Sequence, residues 1–519
     1  MTYFERRRYH MGLTITLAPD TLKALHEVNP MLVSYNVEFA EVTGGTFWKA
    51  YTPGQIAGTE QFYVEPSTEG ISAMYKDLMQ VYPPIDLYNE KVRKLAKDLG
   101  PAWVRVSGTW ATKTYYDFDG EYADGTVPEG YLNVLTKAQW IGVLDFVKEI
   151  GAKLLVSVAN CPGLHTTEEP WHPAEAEKLF GLSKEYGVPI AAAEFTNEPN
   201  MMEETGFPKG YKAEHYRRDH DLFFAWLDEN YPEVIKVGPS TTGGDNIVFG
   251  KPDQQAGGVE QLVGETVGCD DLIGGTKTKL DVFSYHYYNG ISERLASLIP
   301  NGHWQPEEAT SEPYLDTALS FCRTYIPFRD KYVPGAEMWV TESGDAGGGG
   351  DTWASTYLDV IRTLNELGGF ASLTNGVIFH NTLASSDYGY LARQVFDPRP
   401  NYFAVLLWNR LMGTTAYDSA EPIREGAHVY VHSRKDGKEG KVYLIINNSR
   451  TETTTVELPK DAERYTLAGQ DGNVRATVMT LNGNPLVLGE NYALPELTPV
   501  VQPAGTVELA PCTCTFLVV

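Results

Sequence analysis

Eight short apolar segments with strand character recur between residues 30 and 410 of this chain, and most are followed by a longer amphipathic stretch. The segments are Met31–Phe39, Trp103–Ser107, Lys153–Ala159, Ile190–Phe195, Val234–Gly238, Asp281–His286, Glu337–Val340 and Gly376–Asn381. They are rich in Val, Ile and aromatic residues, as strands covered on both faces must be. The stretches between them include Asn89–Leu99, Lys137–Ile150, His172–Tyr186, Tyr211–Asn230 and Thr352–Leu367. Strands that alternate with helices form a parallel sheet, and eight such units point to a sheet closed on itself rather than an open one. The predicted fold class is α/β, a (β/α)8 barrel over residues 30–412.

The pattern changes after residue 413. Val429–His432, Lys441–Ile446 and Thr453–Leu458 alternate or run apolar, with turn signals such as Lys435-Asp436-Gly437 between them. Residues 413–519 are therefore expected to form a small antiparallel β-sandwich. Thr14–Ala18 also reads as a strand and precedes the barrel, so residues 1–29 are expected to contribute to the same sandwich. The chain has no internal repeat and no low-complexity linker, which predicts a packed interface between the two units.

Hydrophobic residues make up 42% of the 519, enough for a sizeable core. The net charge of −26 argues against nucleic acid, an anionic membrane surface or a highly sulfated polyanion as partner. Arg6-Arg7-Arg8 is a basic triplet at the extreme N-terminus and reads as a disordered or added end. Cys161, Cys269, Cys322, Cys512 and Cys514 show no paired zinc spacing, and scattered thiols suit a reducing compartment. No apolar run reaches the length of a membrane span, and the N-terminus lacks a charged-then-apolar leader. The chain as written is expected to be cytoplasmic, and secreted if a leader has been removed.

A β/α barrel carries its site at the C-terminal ends of the strands. Glu38 follows the first segment, Ser107-Gly108-Thr109-Trp110 the second, Asn160 the third and Thr196-Asn197-Glu198-Pro199-Asn200 the fourth. His286-Tyr287-Tyr288 ends the sixth, Thr341-Glu342-Ser343 the seventh, and His380 and Asn381 the eighth. Two carboxyls about 5–5.5 Å apart can cleave a glycosidic bond with retention, one protonating the leaving oxygen and the other attacking the anomeric carbon. Glu198 is the expected acid/base and Glu342 the expected nucleophile, because facing barrel strands can hold such a separation. A nearby anionic nucleophile also raises the pKa of the acid. Asn197 is suited to bind a sugar 2-hydroxyl, and either Tyr287 or Tyr288 to orient the nucleophile.

Each residue has a plainer reading. A lone loop Glu is usually a solvated surface group, and Asn-Glu-Pro alone is a weak signal; the combination with a Glu after the seventh segment carries the weight. His286 is either a satisfied core histidine or a site group, and Asn160 either a cap or a ligand contact. Gly347 through Gly350 is either a flexible loop or a row of backbone N–H groups open to an anion. The chemistry needs two carboxyls and water, so no metal or cofactor is implied.

These segments resemble the clan A glycosidases, most closely the heparanase-like members of glycoside hydrolase family 79. The resemblance rests on Asn197-Glu198-Pro199-Asn200, on Thr341-Glu342-Ser343 with its glycines, on Val104-Arg105-Val106-Ser107-Gly108-Thr109 and on Tyr285-His286-Tyr287-Tyr288-Asn289-Gly290. It continues through Tyr388-Gly389-Tyr390-Leu391, Phe396-Asp397-Pro398-Arg399-Pro400-Asn401-Tyr402 and Leu411-Met412-Gly413. It implies a β-D-glucuronic acid whose carboxylate is held by the amides of Gly348 and Gly349 and by Tyr388, since charge-assisted bonds from neutral donors are strong. It also implies contacts to the same sugar from Glu38, Thr109 and Asn381. Gly347 departs from the animal members, which carry tyrosine there.

The leading expectation is a retaining exo-β-D-glucuronidase that releases terminal glucuronic acid from a glycoside or oligosaccharide. The alternatives are an endo-β-glucuronidase of the heparanase or hyaluronidase type, a clan A glycosidase of other sugar specificity such as a β-xylosidase, and a non-catalytic carbohydrate-binding protein. Acidity favours exo action over cleavage within sulfated chains.

Overall fold

The computed structural model describes residues 13–64, 77–122, 124–202, 205–243, 245, 251 and 266–519. Arg6-Arg7-Arg8 lies outside the described residues. Eight parallel strands close a barrel in chain order: Val33–Glu38, Trp103–Ser107, Lys153–Ser157, Ala192–Glu194, Ile235–Thr242, Val282–Tyr288, Met338–Gly344 and Gly376–His380. The eighth pairs back onto the first, Ile378 beside Val33. Each strand falls on one of the eight expected segments.

The expected amphipathic stretches become Glu90–Leu99, Lys137–Ile150, Ala174–Glu185, Ala213–Asn230 and Tyr357–Leu373. Lys137–Ile150 shows why the boundaries were readable. The Thr136 hydroxyl accepts from the Gln139 N–H, the Gln139 side chain returns to the Thr136 N–H, and Gly151 ends the helix at φ 68°. Glu312–Tyr332 and Pro400–Leu411 go beyond the expected set. Pro327 interrupts the pattern of the first, and the second is buried from Pro400 to Trp408, so neither presents a clean amphipathic stripe.

The barrel interior is layered. Trp103, Leu155, Ala192, Val237, Val282, Trp339, Val377 and Phe379 form an apolar plug. Two residues further along their strands, Arg105, Ser157, Glu194 and Ser284 are buried polar groups. Because side chains alternate along a strand, these share the inward parity of the plug. A dry floor thus lies beneath a polar layer on the side where the strands end.

The antiparallel part is a sandwich of two sheets. Leu13–Thr16 pairs in parallel with Thr454–Leu458, which pairs antiparallel with Gly505–Leu509. The larger sheet includes Ala24–Glu27, Met412–Tyr417, His428–Arg434, Lys441–Asn447, Thr513–Val518 and Ala462–Gly469. The N-terminal segment therefore gives a strand to each sheet, where one was expected. Ile15, Val429, Val431, Ile445, Val456, Val507 and Leu517 fill the space between the sheets. The other face of the large sheet lies on helix Tyr357–Leu373. A Cβ at Gly368 would sit 2.2 Å from the Tyr430 ring, and the Tyr430 hydroxyl donates to Asn365 Oδ1 at 2.7 Å. All five cysteines are buried and free. Among the described residues, no helix is long and apolar enough to cross a membrane.

Candidate active site

Parity decides which strand residues reach the pocket. On the sixth strand Ser284, His286 and Tyr288 face inward. Tyr285 stacks on Tyr325 at 4.6 Å and Tyr287 meets Phe321 at 5.2 Å, both on helix Glu312–Tyr332 outside the barrel. Tyr287 therefore does not join the pocket, and the expectation for it is corrected. The Tyr288 hydroxyl donates to Glu342 Oε2 at 2.7 Å.

On the seventh strand simple alternation from the inward Trp339 would turn Glu342 outward. The register slips here, between Tyr285 and His286 on the neighbouring sixth strand and between Val340 and Ser343 against the eighth. One extra residue re-aims the chain. Thr341 then donates to Ser240 Oγ inside the barrel at 3.3 Å, Glu342 also points inward, and Ser343 bonds Glu366 on the outer helix.

Glu198 lies just past the fourth strand with φ 46°, a conformation uncommon for a residue with a side chain. Its N–H donates to the Ser240 carbonyl at 3.2 Å, which holds it there. His286 Nδ1 is 2.9 Å from Glu198 Oε1 and 3.6 Å from Glu342 Oε2. This nitrogen and one oxygen of each glutamate lie within 4.8 Å of one another. That matches the short carboxyl spacing of retaining sites and not the ~6.5–9.5 Å of inverting ones. Glu198 is 9% exposed and Glu342 5%, so both are shielded yet reachable.

Arg105 lies fully buried beneath the pair. It donates to Glu342 Oε1 at 3.1 Å, to Glu194 Oε1 at 2.6 and 3.0 Å, and to Asn197 Oδ1 at 2.6 Å. Glu194 also accepts from Ser107 at 2.9 Å and Ser240 at 2.6 Å. A buried charge is tolerated when paired and hydrogen-bonded in this way. Neither Arg105 nor Glu194 was given a site role from sequence. Their signal was a charge at inward parity within apolar strands, Val104-Arg105-Val106 and Ala193-Glu194-Phe195.

The two glutamates titrate in opposite directions. Burial pushes the Glu198 carboxyl up, the Glu342 charge adds to this, and the His286 hydrogen bond opposes it. Burial also acts to raise Glu342, but His286, Arg105 and Tyr288 outweigh it and hold that carboxyl below its ordinary value. The two carboxyls are thus shifted apart, one up and one down. Glu198, His286 and Glu342 are close enough to share a cation; in this fold His286 and Arg105 are the positive groups that lower Glu342.

Around the pair, Asn381 Nδ2 donates to the hydroxyls of Tyr288 at 2.9 Å and Tyr388 at 3.2 Å. Glu38 occupies space that a Cβ at Gly108 would need, with Oε2 only 1.7 Å from that position. Burial first, and then the Glu342 charge, push the Glu38 carboxyl well above its ordinary value. Gly348 and Gly349 have φ 90° and 88°, the region glycine occupies at no steric cost. Among the described residues their N–H groups donate to no acceptor. A Cβ at Gly350 would lie 3.1 Å from the Tyr388 nitrogen, so the glycine loop runs beside Tyr388. Two expected contacts make no hydrogen bond to the pair among the described residues. Asn160 is fully buried and its side-chain oxygen engages His165. Thr109 is exposed.

No family model matches the chain. Its relatives are more informative. Baicalin-beta-D-glucuronidase of Scutellaria baicalensis is 24% identical over 469 residues, covering 83% of each chain. Hyaluronoglucuronidase of Hirudo nipponia is 25% identical over 476 residues, covering 84% of this chain and 90% of that one. Heparanase-like protein 2 of Arabidopsis thaliana is 27% identical over 263 residues, a match spanning 43% of this chain and 46% of that protein. The chain is a glycoside hydrolase that resembles the heparanase-like proteins. A solved structure, the 4-O-alpha-L-rhamnosyl-beta-D-glucuronidase of Fusarium oxysporum, superposes on this chain with a TM-score of 0.61 at 12% identity, covering 98% of this chain and 100% of the other. The likeness shows a shared fold, the closed barrel of clan A glycosidases.

Proposed function

We propose that the protein is a retaining exo-β-D-glucuronidase acting on terminal β-linked glucuronic acid of a glycoside or oligosaccharide. The observation that carries the reading is the Glu198–Glu342 pair, oppositely tuned and no more than 4.8 Å apart at its nearest oxygens, flanked by the acceptor-free amides of Gly348 and Gly349 and by Tyr388. Glu342 attacks the anomeric carbon while Glu198 gives its proton to the leaving oxygen, so the glycosidic bond breaks as the glycosyl ester forms. Glu198, now ionised, takes a proton from water, whose oxygen displaces Glu342 and restores the original anomer. The glycine amides and the Tyr388 hydroxyl receive the sugar carboxylate, and Glu38 hydrogen-bonds a ring hydroxyl.

Exo action is supported by the hairpin of Gly45–Trp48 and Met79–Tyr82. Its Trp48 Cβ lies 2.8 Å from where a Gly349 side chain would start, so the hairpin walls the glycine-loop side of the pocket. The net charge of −26 points the same way. The names of the Scutellaria and Hirudo relatives both refer to glucuronidases.

The test is hydrolysis of 4-nitrophenyl β-D-glucuronide beside the matching β-glucoside and β-xyloside, with NMR of the first-formed sugar. Preference for the glucuronide with β-product first is the expected result. Cleavage of another sugar instead would remove the glucuronide assignment, and α-product first would remove the retaining mechanism. Equal cleavage within a glucuronide chain capped at its non-reducing end would replace exo by endo.

The acid limb of the pH profile should follow Glu342, whose pKa is held down. Tyr288 contributes to that lowering, so Tyr288→Phe should move the acid limb of kcat/KM to higher pH and reduce the plateau by about tenfold. An unmoved limb would remove Tyr288 from this role.

A further inference from the structure

We propose that Arg294 is the positioning residue of the carboxylate clamp, setting both the glycine-loop amides and Tyr388; the inference rests on the glucuronide reading above. Arg294 lies in the turn Glu293–Leu295 after the sixth strand, is 1% exposed and takes no part in the chemistry of the glutamate pair. Its guanidinium is a hub for three segments. Nη1 donates to the carbonyls of Gly348 at 3.2 Å and Gly350 at 2.8 Å. Nη2 donates to the Lys49 carbonyl at 2.7 Å and to Asp387 Oδ2 at 2.5 Å, and Nε to Lys49 at 3.2 Å. The group stacks 3.7 Å from the Tyr51 ring centroid. A planar fork of fixed donors suits such a hub, and a lysine cannot reproduce it.

The consequence follows from the peptide unit. In a trans peptide the carbonyl of one residue and the N–H of the next point in opposite directions. The Gly347 carbonyl accepts from the Ser292 N–H at 2.8 Å, which turns the Gly348 N–H the other way. The Gly348 carbonyl accepts from Arg294 and from Ser292 Oγ at 2.9 Å, which does the same for the Gly349 N–H. The Gly349 carbonyl accepts from the Asp387 N–H at 3.1 Å, and the Gly350 carbonyl from Arg294 and the Tyr51 hydroxyl at 3.1 Å. Four successive carbonyls are thus occupied, while the N–H groups of Gly348 and Gly349 are left without acceptors among the described residues. Asp387, the ion-pair partner of Arg294, precedes Tyr388 directly. One guanidinium therefore ties the amide donors and the hydroxyl donor into a single frame.

The experiment compares wild type, Arg294→Met, Arg294→Lys and Tyr51→Phe on 4-nitrophenyl β-D-glucuronide and on two neutral analogues, the β-glucoside and the glucuronamide, with melting curves for each protein. Arg294→Met should lower kcat/KM on the glucuronide by roughly 10- to 100-fold, mainly through KM, while the neutral analogues change by no more than about threefold. Arg294→Lys should recover part of the loss. Tyr51→Phe, which removes one bond to Gly350, should lower the preference in the same direction by less, and stands in if Arg294→Met does not fold. A proportional fall on all three substrates, or an unchanged preference in the variant that folds, would overturn the proposal. A wild type with no preference for the glucuronide would instead overturn the glucuronide reading itself, and the two failures are separate in the same data.

Discussion

Glu342→Gln is expected to lower kcat on 4-nitrophenyl β-D-glucuronide by roughly 10⁴-fold or more while leaving the protein folded. The amide matches the carboxylate in shape. Its oxygen can still accept from Arg105 Nη1, now 3.1 Å away, or from the Tyr288 hydroxyl, and Arg105 keeps Glu194 as a charged partner. What is lost is the anion that attacks the anomeric carbon. Glu342→Ala, which leaves a hole on that face, should accept azide in its place and yield the α-glycosyl azide, one inversion instead of two. A further consequence needs no turnover. The Glu342 charge is one of the influences that raise Glu198, so Glu198 should titrate at lower pH in Glu342→Gln, as followed by carbon NMR of labelled glutamate. Activity within tenfold of wild type would move the nucleophile elsewhere. Glu38 is another buried carboxyl at the pocket, and burial disfavours the charged form that a nucleophile needs.

Glu198→Ala should produce a loss that depends on the leaving group. A sugar or alkyl leaving group needs the proton, and its kcat/KM should fall by about 10²- to 10⁴-fold. A dinitrophenolate leaves as an anion, and its kcat/KM should fall far less. Hydrolysis of the glycosyl ester should then limit turnover, because no group takes the proton from water. Azide needs no such help and should restore turnover with β-glycosyl azide as product. The pH profile supplies a check on sign. Glu198 has a raised pKa and must be protonated to act, so wild-type kcat/KM should fall as pH rises through that pKa, and this alkaline limb should be missing from Glu198→Ala. Equal loss with every leaving group would deny Glu198 the role of acid.

Much of the frame was legible because it depends on short-range patterns. The eight strands fall on apolar, β-branched segments that no amphipathic helix could present, and helices such as Lys137–Ile150 carry their own caps. The glutamates stood out because each directly follows such a segment, at the end of the barrel where chemistry is done. The glycines at 347 through 350 were visible as a run, yet their use was open between a loose loop and an anion site. Helix Glu312–Tyr332 escaped notice because Pro327 breaks its periodicity and its cap at Ser311 lies in a polar stretch with no strand pattern before it.

The sequence by itself determined the closed barrel, the sandwich fed from both ends of the chain, and the placement of Glu198 and Glu342 just after or at the ends of the fourth and seventh strands. Those features follow from period, turn chemistry and order along the chain, which are local properties. Only the tertiary structure decided where the side chains point and what sustains them. The register slip near Thr341 turns Glu342 inward against simple alternation, and parity on the sixth strand selects Tyr288 over Tyr287. Arg105, Glu194 and His286 come to the glutamates from three different strands, and Arg294 joins loops from the first, seventh and eighth strands. Burial and charge at these meeting points pull the two glutamate pKa values apart, and both depend on neighbours about 50 to 240 residues away in the chain.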